Sequence, residues 1–106
     1  MLVATTNEIA GYRIVRHVGM VRGVIVRSRS VIGSIGASLQ SLLGGNISLY
    51  TTLAERTRQD AFQLMVAHAQ EVGANAVVGM RYDGADMAPG ITEVMAYGTA
   101  VVVEPV

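Results

Sequence analysis

The sequence predicts an α+β fold, in which a small antiparallel sheet is packed by one long helix and one short helix. Apolar residues alternate with other residues towards both ends of the chain, which is typical of strands, and they recur every three or four residues in the middle, which is typical of a helix. Glycines lie where the predicted strands and helices meet. The predicted order is strand, short helix, long helix and hairpin, in a single domain over residues 1–106.

The first predicted strand covers Tyr12 to Arg27. Its apolar side chains share one parity, which predicts a core face made of Ile14, Val18, Met20, Val24 and Val26. Gly19 and Gly23 lie on the other parity, where glycine indicates a bulge, a bend or the close approach of another backbone.

Two helices are predicted after this strand. The short one covers about residues 35–43 and ends at Gly44-Gly45, and the long one covers about residues 47–72 and ends at Gly73. The long helix carries two apolar stripes, so we expect it to contact both its own sheet and a neighbouring molecule. The stripes are Tyr50, Ala54, Thr57, Ala61, Leu64, His68 and Val72, and Leu53, Phe62, Met65, Val66 and Ala69.

The last third of the chain predicts two strands, Ala74 to Asp83 and Ile91 to Glu104, joined as a hairpin. Between them lies a seven-residue segment, Gly84 to Gly90, whose glycines and proline are typical of a loop. Both parities of the final strand are rich in small or apolar residues, so we expect both of its faces to be covered.

Composition points to self-association. The chain is 51% hydrophobic and only 15% charged, and a domain of about this size has too little interior to bury that much apolar surface. Residues 1–45 hold five Arg against one acid, whereas residues 46–106 hold three Arg against seven acids. This asymmetry could mean an anionic partner, but head-to-tail packing of identical subunits would also satisfy it, and we favour the second interpretation.

The absence of Cys excludes disulfides, thiolate metal ligands and a Cys nucleophile. The sequence has no signal peptide pattern and no apolar segment long enough to span a bilayer, so we expect a soluble, cytoplasmic protein without a membrane partner.

Several short motifs together resemble those of the YbjQ-like family, whose label also refers to heavy-metal binding. They are Thr5-Thr6, Gly11-Tyr12, Gly44-Gly45, Tyr50 and the run from Gly73 to Gly79. The match spans nearly the whole chain. The resemblance implies a dodecin-like subunit, with the long helix across the sheet, and a ring of identical subunits, most often five. It implies no established biochemical activity.

The family label invites a search for metal ligands. His17 and His68 are the only imidazoles, and neither has a spacing that places a second ligand beside it. Carboxylates from neighbouring chains could complete a site, and the candidates are Glu55, Glu71 and Glu93. A packed or hydrogen-bonded helix-face histidine is the simpler interpretation of His68.

Other chemistry has weaker support. Glu55 lies among Arg56, Arg58 and Asp60, which could form an acid-base or anion site, although a solvated or intersubunit charge face is more common. No nucleophile motif is present, so we expect no enzyme activity.

Gly33-Ser-Ile-Gly36 is preceded by Arg22, Arg27 and Arg29, a pattern with a superficial likeness to a KH nucleic-acid module. Zero net charge and few aromatic residues disfavour nucleic-acid binding.

The leading prediction is therefore a homo-oligomeric ring, with a small ligand or an ion bound at its subunit boundaries. Metal handling is the first alternative and nucleic-acid binding the weaker one. The residues identify no cofactor.

Overall fold

The computed structural model describes residues 1–28 and 48–106, with side chains described for residues 1–28 and 51–106. Its elements are β1 (Leu2–Val3), β2 (Tyr12–Ser28), α1 (Ser48–Glu71), β3 (Ala76–Ala88) and β4 (Ile91–Pro105). The α+β class, the long helix and the final hairpin are confirmed. The predicted short helix, Gly44-Gly45, the Gly33 to Gly36 turn and the side chain of Tyr50 lie outside the described residues.

The described strands form one four-stranded sheet in the order β1-β3-β4-β2. β4 runs antiparallel to both β2 and β3, but β1 runs parallel to β3. The prediction of an all-antiparallel sheet was therefore wrong, and the sheet is mixed. β1 has only two residues, too few to produce a detectable alternation in the sequence.

The hairpin is tighter than predicted. β3 continues to Ala88 and β4 begins at Ile91, so only Pro89 and Gly90 form the turn. The segment interpreted as a loop is paired instead, with Gly84 opposite Val94 and Asp86 opposite Thr92. Strand pairing is made by the backbone, and tertiary context overrides the low strand propensity of Gly and Asp.

The core face of β2 also differs from the prediction. Val21 and Gly23 are buried, whereas Met20, Val24 and Val26 are 64%, 38% and 50% exposed. The pairing of β2 with β4 shifts register twice, between Ile14 and Arg16 and between His17 and Gly19. Each shift changes which parity faces the core. The expected bulge at Gly19 is confirmed, and it is this bulge that invalidates a single alternation along the strand.

Gly23 confirms the expected close approach of another backbone. A Cβ atom at this position would lie 2.1 Å from the carbonyl oxygen of Ala61 and 2.5 Å from the backbone nitrogen of Met65. The helix therefore crosses β2 directly over Gly23, and it does so at a distance that only glycine permits.

The main core lies between α1 and one face of the sheet. Ala61, Met65 and Ala69 on the helix are fully buried, and they pack in one cluster with sheet residues that include Val21, Val77, Ala96 and Ala100. A smaller cluster forms from Ala76, Val78, Val101 and Val103, with Ile9 and Ile14 packed against it. Leu64 and Val72, from the first predicted stripe, remain exposed.

The end of α1 agrees with the prediction. Gly73 has a φ of +83°. Its N–H donates to the carbonyl of Gln70 at 3.1 Å, and the N–H of Ala74 donates to the carbonyl of Ala69 at 3.0 Å. This is the Schellman arrangement, which ends a helix at a glycine.

Asn75 then attaches the chain to β4. Its side-chain amide donates to the carbonyl of Val103 at 2.9 Å, and its side-chain oxygen accepts from the N–H of Val103 at 2.8 Å. The two bonds fix the start of β3 beside β4.

Candidate functional site

The distal part of the sheet, which we define as residues 24–27 of β2, 81–88 of β3 and 91–95 of β4, contains no buried residue. Every residue from Arg81 to Pro89 is exposed, including Met87 at 60%. The radius of gyration is 16.9 Å, against about 13 Å for a compact domain of 100 residues. The distal sheet therefore extends beyond the region where the helix and the sheet pack tightly.

A groove lies where the first half of α1 meets the distal sheet. It encloses about 220 Å³ and is lined by Arg27, Leu53, Ala54, Thr57, Arg58, Thr92 and Val94. A second cleft of about 140 Å³ shares Arg58 and Val94 and adds Tyr82, Asp83 and Gly84. We call these two neighbouring spaces the arginine groove. Each space by itself suits a small ligand, because sites for drug-sized molecules usually exceed about 300 Å³.

The groove combines an apolar wall with two guanidinium groups. Arg27 Nη2 lies 3.2 Å from Asp60 Oδ2, so its charge is partly compensated. Arg58 lies over the ring of Tyr82 at 5.9 Å from the ring centroid, and no acidic partner for it is found among the described residues. Stacking on an aromatic face orients a guanidinium without neutralising it. The larger space, whose described lining includes no acidic residue, therefore presents positive charge beside apolar surface, whereas Asp83 lines the smaller cleft.

The threonine hydroxyl groups of the groove are already engaged. Thr57 donates to the carbonyl of Leu53 at 3.0 Å, and Thr92 donates to Asp86 Oδ1 at 3.3 Å. A ligand would therefore meet their oxygens mainly as acceptors and would meet Arg58 as the principal donor. Such a set of groups fits an anionic head, such as a carboxylate, attached to an apolar body.

The sequence indicated part of this groove. Arg58 belonged to the charged cluster considered as an anion site, but its stacking partner Tyr82 is 24 positions away in the chain and was not singled out. Arg27 appeared only in the nucleic-acid hypothesis. Because the groove is formed by residues of four elements, β2, α1, β3 and β4, no local spacing could have identified it.

The five candidate metal ligands are spread over the molecule. His17 is exposed on β2 opposite Val101, and Glu93 lies on β4 between Val26 of β2 and Ala85 of β3. Glu55 and His68 are separated by about 20 Å along the helix at 1.5 Å per residue. Within the described part of one chain, no group of three or more His, Asp or Glu side chains is placed to hold a metal ion.

His68 already has a role in the structure. Its Nδ1 accepts a hydrogen bond of 3.2 Å from the backbone N–H of Arg22. An accepting Nδ1 places the proton of a neutral imidazole on Nε2, whereas in most metal sites the non-ligating nitrogen of the ring is a donor. Binding of a metal by either nitrogen would therefore require release of the Arg22 N–H. Glu71 lies one turn later on the same helix and is exposed.

The arginines of the nucleic-acid hypothesis do not form one described patch. Arg27 pairs with Asp60, Arg22 lies on the exposed part of β2, and Arg29 lies outside the described residues. Among the helices that the structure describes, none is both long and apolar enough to cross a membrane.

Comparison with known proteins gives consistent matches along the whole chain. The family model YbjQ_1, described as "putative heavy-metal-binding", matches residues 1–104. A UPF0145 protein of Solibacter usitatus is 55% identical over 103 residues, covering 97% of this chain and 92% of the relative. A UPF0145 protein of Burkholderia thailandensis is 57% identical over 100 residues, covering 94% and 90%.

A solved structure shares the fold. It is a protein of unknown function from the DUF74 family of Pediococcus pentosaceus, and it superposes with a TM-score of 0.62 over 98% of both chains. The sequences are only 17% identical, so this likeness concerns the fold alone.

Proposed function

The chain belongs to the YbjQ_1 family, and from this premise we propose that it is a homo-oligomeric ring protein that binds a small ligand at its subunit boundaries. The ring contains five subunits, as the family resemblance implies, and it acts in the cytoplasm. Its role is binding rather than catalysis.

The observation that carries this proposal is the exposed distal sheet. Two long strands, β2 and β3, present Val24, Val26 and Met87 to solvent in the isolated subunit. Large exposed apolar patches usually mark surfaces that contact a partner. A second copy supplies such a partner without any further component, and repetition of a head-to-tail contact closes a ring.

The arginine groove is the binding site that we propose. It lies against the distal sheet, so a subunit that covers this region would also close the open side of the groove. Arg58 would hold the carboxylate of the ligand, and Leu53, Ala54 and Val94 would contact its apolar part. The described lining of the main groove has no imidazole or carboxylate that could act as a general base, which supports binding over catalysis.

Native mass spectrometry of the purified protein tests the assembly. We expect a single oligomer of five chains at micromolar concentration. A monomer under these conditions, also seen by sedimentation velocity at high concentration, would contradict the proposal.

Octanoate titration tests the groove. We expect Arg58→Gln to weaken octanoate binding at least about tenfold, because a charged hydrogen bond contributes roughly 1.5–3 kcal/mol. Arg56→Gln is the matched control, since Arg56 is exposed on the same helix and does not line the groove. Equal binding by the wild type and Arg58→Gln, or no octanoate binding at all, would exclude this ligand site.

Metal binding is the second candidate, and the description of the family favours it. A site would combine His17 or His68 with Glu55, Glu71 or Glu93 from neighbouring chains, because the described part of one chain gathers no such group. Titration with zinc and copper(II) would then show saturable binding that is lost in the His17→Ala/His68→Ala variant. Unchanged affinity in that variant would remove this hypothesis.

A further inference from the structure

Among the described residues, β2 is a long edge strand with little protection. It forms one edge of the described sheet and has 17 residues, whereas β1 at the opposite edge has two. Both register shifts of β2 lie before Met20, and from Met20 onwards the pairing with β4 is regular. Native proteins usually block such edges with Pro, Lys, bulges or covering segments. The stretch Met20–Val26, which we call the β2 edge, contains no Pro or Lys.

The direction of the unpaired backbone groups follows from one hydrogen bond. The N–H of Arg22 donates to His68, so it points away from β4. In an antiparallel pair, the backbone N–H and C=O groups of every second residue point to the same side. The backbone groups of Val24 and Val26 therefore also point away from β4. Among the described residues, neither of these two valines makes a backbone hydrogen bond outside the sheet. His68 already occupies the N–H of Arg22, so within the β2 edge it is Val24 and Val26 that can accept another strand.

A second uncovered edge lies on β3. β1 pairs only with Ala76 and Val77 of β3. Residues 4–6, which follow β1, make further backbone hydrogen bonds to β3, and these reach only as far as Met80. From Arg81 to Ala88, the side of β3 that faces away from β4 has no strand partner in the described part of the chain. We call this stretch the β3 edge.

The two edges carry complementary charge. The one charged side chain of the β2 edge is Arg22, which has no ion-pair partner among the described residues. The β3 edge carries Asp83 and Asp86 against the single cation Arg81, so it is net negative, and neither aspartate has a described ion pair. Pairing two β2 edges would place arginines opposite one another, which is unfavourable, whereas pairing β2 with β3 brings opposite charges together.

We propose that the β2 edge of one subunit pairs with the β3 edge of the next, so that the sheet continues around the ring. This inference rests on the proposed oligomer and specifies its contact. β2 and β3 are each antiparallel to β4, so they run in the same direction. Rotation about an axis along the strands preserves that direction, so the new pairing is parallel. The contact is heterologous, which is the kind that closes a ring of any order.

Disulfide trapping tests this contact, because the chain has no native Cys. We would combine Val24→Cys with cysteine at Asp83, Ala85 or Met87, one position at a time. Within one subunit Val24 and Asp83 lie on either side of Met95, so they are about 10 Å apart at two strand spacings and exceed the reach of a disulfide. A crosslink can therefore form only between subunits.

We expect at least one of the three pairs to give a ladder of covalent oligomers that ends at the ring size under mild oxidation. Val24→Cys/Gln70→Cys is the control, since Gln70 is exposed on the helix and outside both edges. An intact oligomer in native mass spectrometry with no crosslink from any β3 position would overturn the edge pairing and leave the proposed oligomer standing. Dimers from Val24→Cys alone would also overturn it, because they indicate β2-to-β2 contact. A monomer would refute both proposals.

Discussion

The two ends of the same sheet differ in whether their apolar side chains are buried within the subunit. At the proximal end, α1 covers Val21, Val77, Ala96 and Ala100, which are almost completely buried. At the distal end, the same strands leave Val26 and Met87 exposed. The proximal end is stabilised within the subunit, whereas the distal end has apolar surface to offer to a partner. Substitutions at the two ends should therefore differ in whether their effects depend on protein concentration.

The largest expected effect comes from Met65 on the helix. Met65→Ala removes a fully buried side chain, and such truncations lower the free energy of unfolding by about 2–5 kcal/mol. Met87→Ala is the distal counterpart and should change the stability of the monomer by less than about 0.5 kcal/mol. Denaturant unfolding of both variants measures this contrast. Equal losses at low protein concentration would mean that the two ends are not distinct.

Gly23 should give the next largest effect. Gly23→Ala would place a Cβ 2.1 Å from the backbone oxygen of Ala61, so the helix must move, at a cost of roughly 1–3 kcal/mol or more for overpacking. Gly84→Ala is the distal control, because its Cβ would lie 3.7 Å from the nearest oxygen, an ordinary contact. The melting temperatures of the two variants would test this, and a tolerated Gly23→Ala would contradict the close crossing of helix and strand.

Gly73 at the helix end should give a smaller loss. Its φ of +83° disfavours any residue with a Cβ, so Gly73→Ala should cost about 1–2 kcal/mol. Substitution of Gly98 would not isolate this backbone effect, because a Cβ at Gly98 would clash with Val77. Urea unfolding measures the loss, and an unchanged midpoint would mean that the Schellman ending does not need glycine.

The smallest expected effect concerns the distal ion pair between Arg27 and Asp60. Both side chains are more than a third exposed, so Asp60→Asn should change the free energy of unfolding by at most about 1 kcal/mol, and less at high salt. The same substitution leaves Arg27 uncompensated in the arginine groove, so octanoate should bind more tightly. Weaker binding by Asp60→Asn would contradict an anionic ligand.

Much of the secondary structure was predictable because its signals are local. The periodicity of the long helix, the stop at Gly73 and the special roles of Gly19 and Gly23 all follow from a few neighbouring residues. The core face of β2 was not predictable, because the first bulge reverses the parity and the second restores it, and their positions depend on the pairing with β4. The extended hairpin was missed for a similar reason, since turn-forming residues at Gly84 and Asp86 are held in strand pairing.

The candidate site was less accessible to sequence reasoning than the fold. The sequence indicated Arg58 as part of a charged cluster, but it gave no reason to join it to Tyr82. The intersubunit role of the five metal candidates stays a prediction. His68 shows the difficulty, because the sequence presents it as an imidazole on a helix face, and only the tertiary structure places its Nδ1 beside the N–H of Arg22.

By itself the sequence determined the α+β class, the long helix and its glycine stop, and the separation of basic and acidic residues between the two halves of the chain. These depend on periodicity, capping and composition, which act over short distances. The tertiary structure alone decided the parallel position of β1, the side of β2 that faces the core and the meeting of Arg27, Arg58 and Tyr82 around one groove. Each of these depends on the register between strands that are distant in sequence, and a shift of one residue reverses which side chains are exposed.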